Sequence, residues 1–395
     1  MTRASAAVTQ AGTRTVTRHA PGKLFIAGEY AVVEPGRPAI VVAVDRTVSV
    51  TAAAVPDAGV DVAIVSDLSP EGARLHRNGG RLAGCDPDSE RLARGGLAHV
   101  VSAVEVLTRL LAEQGREIPA LHLSVTSRLH EAGTKFGLGS SGAVTVATVA
   151  ALGDLFGLHL SPETRFRLAV LATGRLDPNA SCGDLAASTW GGWLGYRAPD
   201  RAAVLELARR GSIAETVRAP WPDFAVRRLP PPARLALQVG WTGTPASTGT
   251  LVSKLDNWRD GPAYRDFLAR SAECVRACAS ALEKGEDREL LAAIRDARLL
   301  LAGLDREAGL GIGTDRLTAL CDAAEAEGGA AKPSGAGGGD CGIALIKTTG
   351  PGGAARLARL RERWAAAGIR PLPLHVPPGH VPHVPHVPLT EGDGE

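Results

Sequence analysis

Two glycine-rich segments and two isolated charged residues carry the chemistry open to this sequence. The first segment is GLGSSG, residues 137–142, set directly before the apolar run AVTVATVAAL. Glycines let a chain turn left-handed and approach a ligand closely, and a helix starting at the serines would offer unpaired N–H groups and the positive end of its dipole to an anion. A plain glycine turn with a serine N-cap reads the same way. The P-loop pattern is absent, and the segment is not read as a dinucleotide fingerprint. The second segment is KPSGAGGGDCG, residues 332–342, against the apolar IALI. Its Lys, Ser and Asp are unlike a Gly/Ser spacer, so a second anion cradle is expected rather than a linker. Two such loops point to two phosphorylated ligands, or to a nucleotide and a phosphate-bearing acceptor. Lys23, in HAPGKLFIAGEY, and Asp184, in SCGDLAAS, stand beside turns. Taken singly, one reads as a solvated surface cation and the other as a helix-start carboxylate. Cys182 and Cys341 are expected to be small packed residues rather than reactive thiols.

The elements that must position these residues follow from periodicity and punctuation. LFIAGEYAVV, EPGRP and AIVVAVDRTVSVTAA read as strand, tight turn, strand. A polar stretch over residues 66–94 carries turn signals, and residues 97–111 have helical spacing. LHLSVTSRL reads as a strand leading to the first glycine loop, and the apolar run after it as a buried helix. Ser161, Pro162 and Glu163 open another helix. The loop DPNASCGD leads into a short helix and a strand. Charged, Pro-rich sequence over residues 198–234 marks a candidate domain boundary. Beyond it come the strand LALQVGWTG, long helices over residues 248–328, the second glycine loop with its strand, a helix over 353–367, and the strand-like IRPLPLHV. The tail, with His375, His380, His383 and His386 among prolines, has too little apolar content to fold alone.

Composition narrows the classes. The chain has 395 residues, enough for more than one domain, with 44 Lys plus Arg against 42 Asp plus Glu, a net charge of +2. That balance excludes a general phosphate-backbone binder, so no nucleic-acid partner is expected. Asp154 breaks the most apolar stretch before it could span a bilayer, so no membrane partner is expected either. The N-terminus lacks the apolar segment of a secretory signal, and six scattered Cys make no disulfide framework, which together predict a cytoplasmic protein.

Taken in order, APGKLFIAGEYAVV, GLGSSGA before an apolar helix, and SGAGGGDCGIAL resemble the three motifs of the GHMP kinase superfamily, the galacto-, homoserine, mevalonate and phosphomevalonate kinases. The likeness spans residues 21–345. Within the superfamily, KFGLGSSG, GDLAASTWGGW, and VGWTGTPAST with the LV after it are similar to the bacterial phosphomevalonate kinases. The resemblance implies an α+β chain with the GHMP kinase fold. Its parts would be a flexible N-terminus (1–15), a ribosomal protein S5 domain 2-like ATP-binding domain (16–205), a ferredoxin-like C-terminal domain (206–375) and a disordered Pro/His tail (376–395).

It further implies ATP and Mg²⁺, and transfer of the γ-phosphoryl group to (R)-5-phosphomevalonate. By motif match, Lys135, Gly137, Leu138, Gly139, Ser140, Ser141 and Gly142 would hold ATP, with Ser141 near Mg²⁺ and Lys135 near the transferred group. Lys23 and Asp184 would stand at the acceptor oxygen, so that Lys23, Asp184 and Lys135 form the catalytic set. Ser181, Ser247, Thr248, Ser334, Gly335, Ala336, Gly337, Gly338 and Gly339 would hold the acceptor. Two departures stand out: Asn179, Ala180, Ser181 and Cys182 replace a more glycine-rich turn before Asp184, and Thr173 falls where mevalonate kinases often carry a Mg²⁺-holding Glu. The implied partners are small molecules, and a homodimer is left open. Mevalonate kinase, another small-molecule kinase of the superfamily, and a non-catalytic ligand sensor are the alternatives.

Overall fold

The computed structural model describes residues 14–55, 59–131, 133–245, 251, 254–255 and 258–379. Ser247, Thr248, His380, His383 and His386 lie outside the described residues. In chain order the strands are β1 (Thr15–Ala27), β2 (Pro38–Val55), β3 (Val62–Ser66), β4 (Ser69–Asn78), β5 (Arg81–Gly84), β6 (Ala120–Ser127), β7 (His130–Glu131), β8 (Thr134–Lys135), β9 (Trp193–Arg197), β10 (Ala225–Leu229), β11 (Leu235–Trp241), β12 (Ala330–Pro333), β13 (Cys341–Lys347) and β14 (Arg370–Leu372). The helices are α1 (Pro87–Arg94), α2 (Ala98–Glu113), α3 (Ser140–Leu155), α4 (Pro162–Gly174), α5 (Gly183–Trp190), α6 (Arg201–Arg210), α7 (Ile213–Arg218), α8 (Pro262–Lys284), α9 (Asp287–Ala308), α10 (Asp315–Ala326) and α11 (Gly353–Ala366).

β2 organises the first sheet. Its Val-rich first half is buried on both faces, and its second half alternates between buried and half-buried positions. β1 pairs antiparallel along one edge, while β9 and β6 share the other, opposite Pro38–Val42 and Val48–Val55. The sheet runs β10-β9-β2-β6-β3-β4-β5, with β1 beside β2. α3 is apolar nearly all round and accordingly buried, packed on β1, β2, α2 and α4.

The second sheet is antiparallel in the order β12-β13-β11-β14. Its succession of strand, helices, two strands, helix and strand is ferredoxin-like, with α8, α9 and α10 between the first two strands. The two sheets share one apolar core: Val275, Cys278 and Leu282 of α8, Ile294 of α9, and Ile343 and Leu345 of β13 join the cluster built on β1, β2 and α3.

Several expectations change. LFIAGEYAVV is not one strand, because β1 ends at Ala27 and Ala31–Val33 form a short 3-10 turn. The polar stretch 66–94 holds β4, β5 and α1, since Ala73 and Leu75 of β4 are buried and Asp86 caps α1 by accepting from the Ser89 N–H. The division at 205/206 falls inside α6, and the last strand of the first sheet, β10, ends at Leu229 just before Pro230, Pro231 and Pro232. The described part of the tail lies on the first sheet: the His375 N–H donates to Asp45 Oδ1 at 3.0 Å, the Asp45 N–H donates to His375 O at 2.9 Å, and Val376 packs against the core.

Candidate active site

Lys23 is aimed by its strand. The pairing of β1 with β2 shifts register between Pro21 and Lys23, a bulge of the kind that re-aims a side chain. Gly22 lies so close to the first loop that a Cβ there would meet Leu138 O at 2.8 Å. The Lys23 N–H donates to Leu138 O at 2.8 Å, and Nζ stands 3.5 Å from Gly137 O. Nζ also lies 5.3 Å from the centre of the Phe25 ring. Lys23 is half-buried, not a solvated surface cation.

The first loop opens onto α3 through Gly139, whose left-handed backbone (φ 75°) leaves no side chain to cap the helix. The first N–H groups of α3, at Ser140, Ser141 and Gly142, are therefore available to an anion. α4 and α6, by contrast, are closed by Ser161 and Asp200. The glycine spacing also spells the dinucleotide fingerprint, but the strand ahead of it, β8, belongs to a two-stranded antiparallel ribbon rather than a parallel sheet. α5 starts beside this helix. Its N-cap, Cys182, takes the left-handed conformation (φ 59°) that the sequence leads one to expect of a glycine. The Ser188 hydroxyl fixes α5 to β1 by donating to Pro21 O at 2.7 Å. Asp184, in the first turn, is then so placed that a Cβ on Gly142 would lie 2.4 Å from its Oδ2.

The second loop closes on the first. A Cβ on Gly137 would meet Asp340 Cγ at 2.4 Å, and the Cys341 thiol donates to Phe136 O at 3.1 Å. A Cβ on Gly335 would stand 3.7 Å from Lys23 Nζ. The loop is pinned, not a linker: the Gly338 N–H donates to Ile312 O at 2.8 Å and the Asp340 N–H to Thr244 O at 2.7 Å. Among the described residues, five non-glycine residues have positive φ, and three of them, Tyr30, Cys182 and Asp340, border this cleft.

Family comparison agrees with the geometry. The GHMP kinases N terminal domain matches residues 98–192, and the GHMP kinases C terminal domain matches residues 278–366. A phosphomevalonate kinase of Streptomyces sp. (strain CL190) is 60% identical over 368 residues, covering 92% of this chain and 97% of its own. The chain belongs to the GHMP kinase family. The structure of Streptococcus pneumoniae phosphomevalonate kinase in complex with phosphomevalonate and AMPPNP superposes on this GHMP kinase with a TM-score of 0.79 at 28% identity, covering 91% of this chain and 99% of that one. A mevalonate kinase of Thermococcus sibiricus is more distant, 28% identical over 84% of this chain and 89% of its own.

Other expected site residues of this GHMP kinase sit as follows. Lys135 is exposed at the end of β8, within electrostatic reach of His99. Ser181 is half-buried, and its carbonyl accepts from the Tyr196 hydroxyl at 2.8 Å. The Ser334 hydroxyl is committed to the Phe25 main chain, accepting from N at 2.9 Å and donating to O at 3.0 Å, so it ties the loop to β1. Ala336 O accepts from the Tyr30 hydroxyl, and Gly337 packs on Ile312. The lysine of the second glycine cluster, Lys332, points away from the cleft into a buried ion pair with Glu29. Burial pushes the Cys182 and Cys341 thiols well up, which removes them as nucleophiles.

Sequence reasoning counted Asp340 among the polar residues of the second loop without giving it a role, and missed Tyr30, Glu29 and His99. The GEY triplet after the Lys23 strand was a signal for two of them; His99, at the start of an ordinary apolar helix, left none. For Mg²⁺, no three His, Cys, Asp or Glu side chains gather as a cage among the described residues. Asp184 supplies a hard oxygen against Gly142, and Ser141 precedes that glycine in the chain. Few protein oxygens completed by substrate phosphates is the manner in which Mg²⁺ is usually held, so the residues fit the ion.

Proposed function

We infer that this chain is a phosphomevalonate kinase, transferring the γ-phosphoryl group of ATP to (R)-5-phosphomevalonate to give (R)-5-diphosphomevalonate and ADP, a step of the mevalonate route to isoprenoids. The observation that carries the reading is the approach of two main-chain cradles to one lysine: Lys23 Nζ stands 3.5 Å from Gly137 O and 3.7 Å from where a Cβ on Gly335 would lie. Identity of 60% to the Streptomyces phosphomevalonate kinase supports the choice of acceptor.

Phosphoryl transfer runs through a loose transition state, so the protein contributes mainly position and neutralisation of charge on the equatorial oxygens. The open N-terminus of α3 serves the phosphates of ATP, and the Lys23 ammonium serves the transferred group and the attacking oxygen. That oxygen belongs to a phosphate whose second pKa is about 6, so it is already ionised at neutral pH and needs no strong base. Asp184 orients Lys23 and the acceptor, whereas an alcohol acceptor would have to lose a proton. Mg²⁺ bound with ATP at Ser141 and Asp184 would neutralise phosphate charge further. The six cysteines are all free, which suits a cytoplasmic enzyme.

A coupled ADP-release assay with mevalonate and 5-phosphomevalonate side by side tests the reading. Turnover with 5-phosphomevalonate alone supports it. Turnover with mevalonate alone, or saturable binding with no ADP formed, overturns it.

A further inference from the structure

Glu29 and Lys332 form an ion pair shut off from water, with side chains 3% and 0% exposed. Lys332 Nζ also donates to Pro333 O at 2.7 Å. Such a pair is commonly no more stable than apolar side chains of the same volume, so stability alone gives no reason for it. Its location does. Glu29 lies two residues beyond the strand that carries Lys23, and Lys332 lies two residues before Ser334, where the second glycine loop begins.

Tyr30 reinforces the same connection. It is the centre of a γ-turn, with φ 63° and ψ −49°, closed by the Ala31 N–H donating to Glu29 O at 2.7 Å. This form of γ-turn is rare and strained, and persists where surrounding contacts over-determine it. The Tyr30 hydroxyl donates to Ala336 O at 2.5 Å, the link between this turn and the face of the loop that meets Lys23. With the Phe25 and Ser334 bonds, side-chain links thus join residues 25–30 to residues 332–336 from end to end.

We propose that Glu29, Lys332 and Tyr30 are positioning residues that set the second glycine loop relative to Lys23, and so determine affinity for the phosphorylated acceptor without touching it through the ion pair. For the identity of the acceptor, the proposal rests on the phosphomevalonate reading. The first loop is held by α3 and β1, and it meets the second loop at Asp340 and Cys341, beyond the linked residues 332–336, so ATP affinity is expected to be independent of these links.

The test compares the wild type with Tyr30→Phe and with the double variant Glu29→Leu/Lys332→Met, which replaces the pair by apolar side chains and leaves no unpaired buried charge. Hydrogen exchange reads the loop without any substrate. Faster exchange at residues 335–339 with unchanged exchange at 137–142 is expected in both variants. In steady-state assays the KM for 5-phosphomevalonate rises by about tenfold in the double variant, equivalent to about 1.4 kcal/mol, while the KM for ATP stays within twofold. Unchanged exchange in both variants, or equal rises in the two KM values, overturns the proposal. Faster exchange together with a wild type that does not turn over 5-phosphomevalonate supports the positioning role and overturns the functional reading instead. Should the double variant fail to fold, Tyr30→Phe carries the same comparison.

Discussion

Gly142 and Asp184 occupy each other's space: a Cβ on the glycine would stand 2.4 Å from Oδ2 of the carboxylate and 2.5 Å from its Cγ. The first turns of α3 and α5 therefore meet through one acidic group that tolerates no side chain opposite. Gly142→Ala is expected to displace Asp184 and to lower kcat as Asp184→Asn does, by about 10²–10³-fold, while ATP binding stays within a few-fold. Because both changes act on one group, the double variant should be no worse than either single one. Multiplicative losses in kcat would separate the two residues.

Lys23 bridges the loops, so Lys23→Met should reduce kcat by about 10²–10³-fold. Lys23→Arg should recover little, because a planar fork on a different stem does not reproduce a point charge between Gly137 and Gly335. The thermal midpoint should barely change, since the ammonium itself is not buried in the core. Steady-state rates and a melting curve on the same preparations check both parts; near-normal turnover by Lys23→Met would remove this residue from the chemistry.

Ser141 offers its hydroxyl at an uncapped helix start. Ser141→Ala should raise the Mg²⁺ concentration needed for half-maximal activity by several-fold, as loss of one oxygen ligand predicts, with the KM for 5-phosphomevalonate unchanged. A Mg²⁺ titration at saturating ATP reads this directly, and an unaltered titration would place the ion elsewhere.

His99 makes stability depend on pH. Its Nδ1 is buried with no hydrogen-bond partner among the described residues. Burial pulls its pKa below the ordinary value of 6.5, Lys135 adds to that, and Asp184 and Asp177 oppose it. In the unfolded chain the imidazole takes its proton near pH 6.5, and in the folded chain only at lower pH. Between the two values the unfolded state binds more protons, so this contribution is complete above about pH 6.5 and is lost as pH falls towards the folded value. His99→Asn should flatten that part of the acid-side decline in thermal midpoint, measured between about pH 5 and 8. An identical decline in the variant would assign it to other groups.

Much of this architecture was legible in the sequence where local pattern and tertiary role agree. The Val-rich β2, the apolar α3 and the Ser161-Pro162 helix start each follow from their own residues, and the order of the glycine motifs pointed to a single cleft. The rest depended on contacts that no local pattern encodes. β4 and β5 were hidden because Pro70, Gly72 and Gly79 read as turns while only Ala73 and Leu75 mark the buried face. Cys182 in a left-handed conformation, the Ser334 hydroxyl turned to Phe25, and Lys332 drawn away to Glu29 are all settled by partners distant in the chain. Ser247 and Thr248 lie outside the described residues, so their expected part in holding the acceptor stays with the sequence motif.

The central claim is that two polyanions are held end to end across Lys23, so that phosphate attacks phosphate. A ³¹P spectrum of the product formed from ATP and 5-phosphomevalonate tests it most directly. The account predicts that the acceptor's phosphomonoester signal is replaced by a coupled pair from a new P–O–P linkage, in step with ADP. A product keeping its 5-phosphomonoester and gaining a second, uncoupled one on a hydroxyl would contradict it.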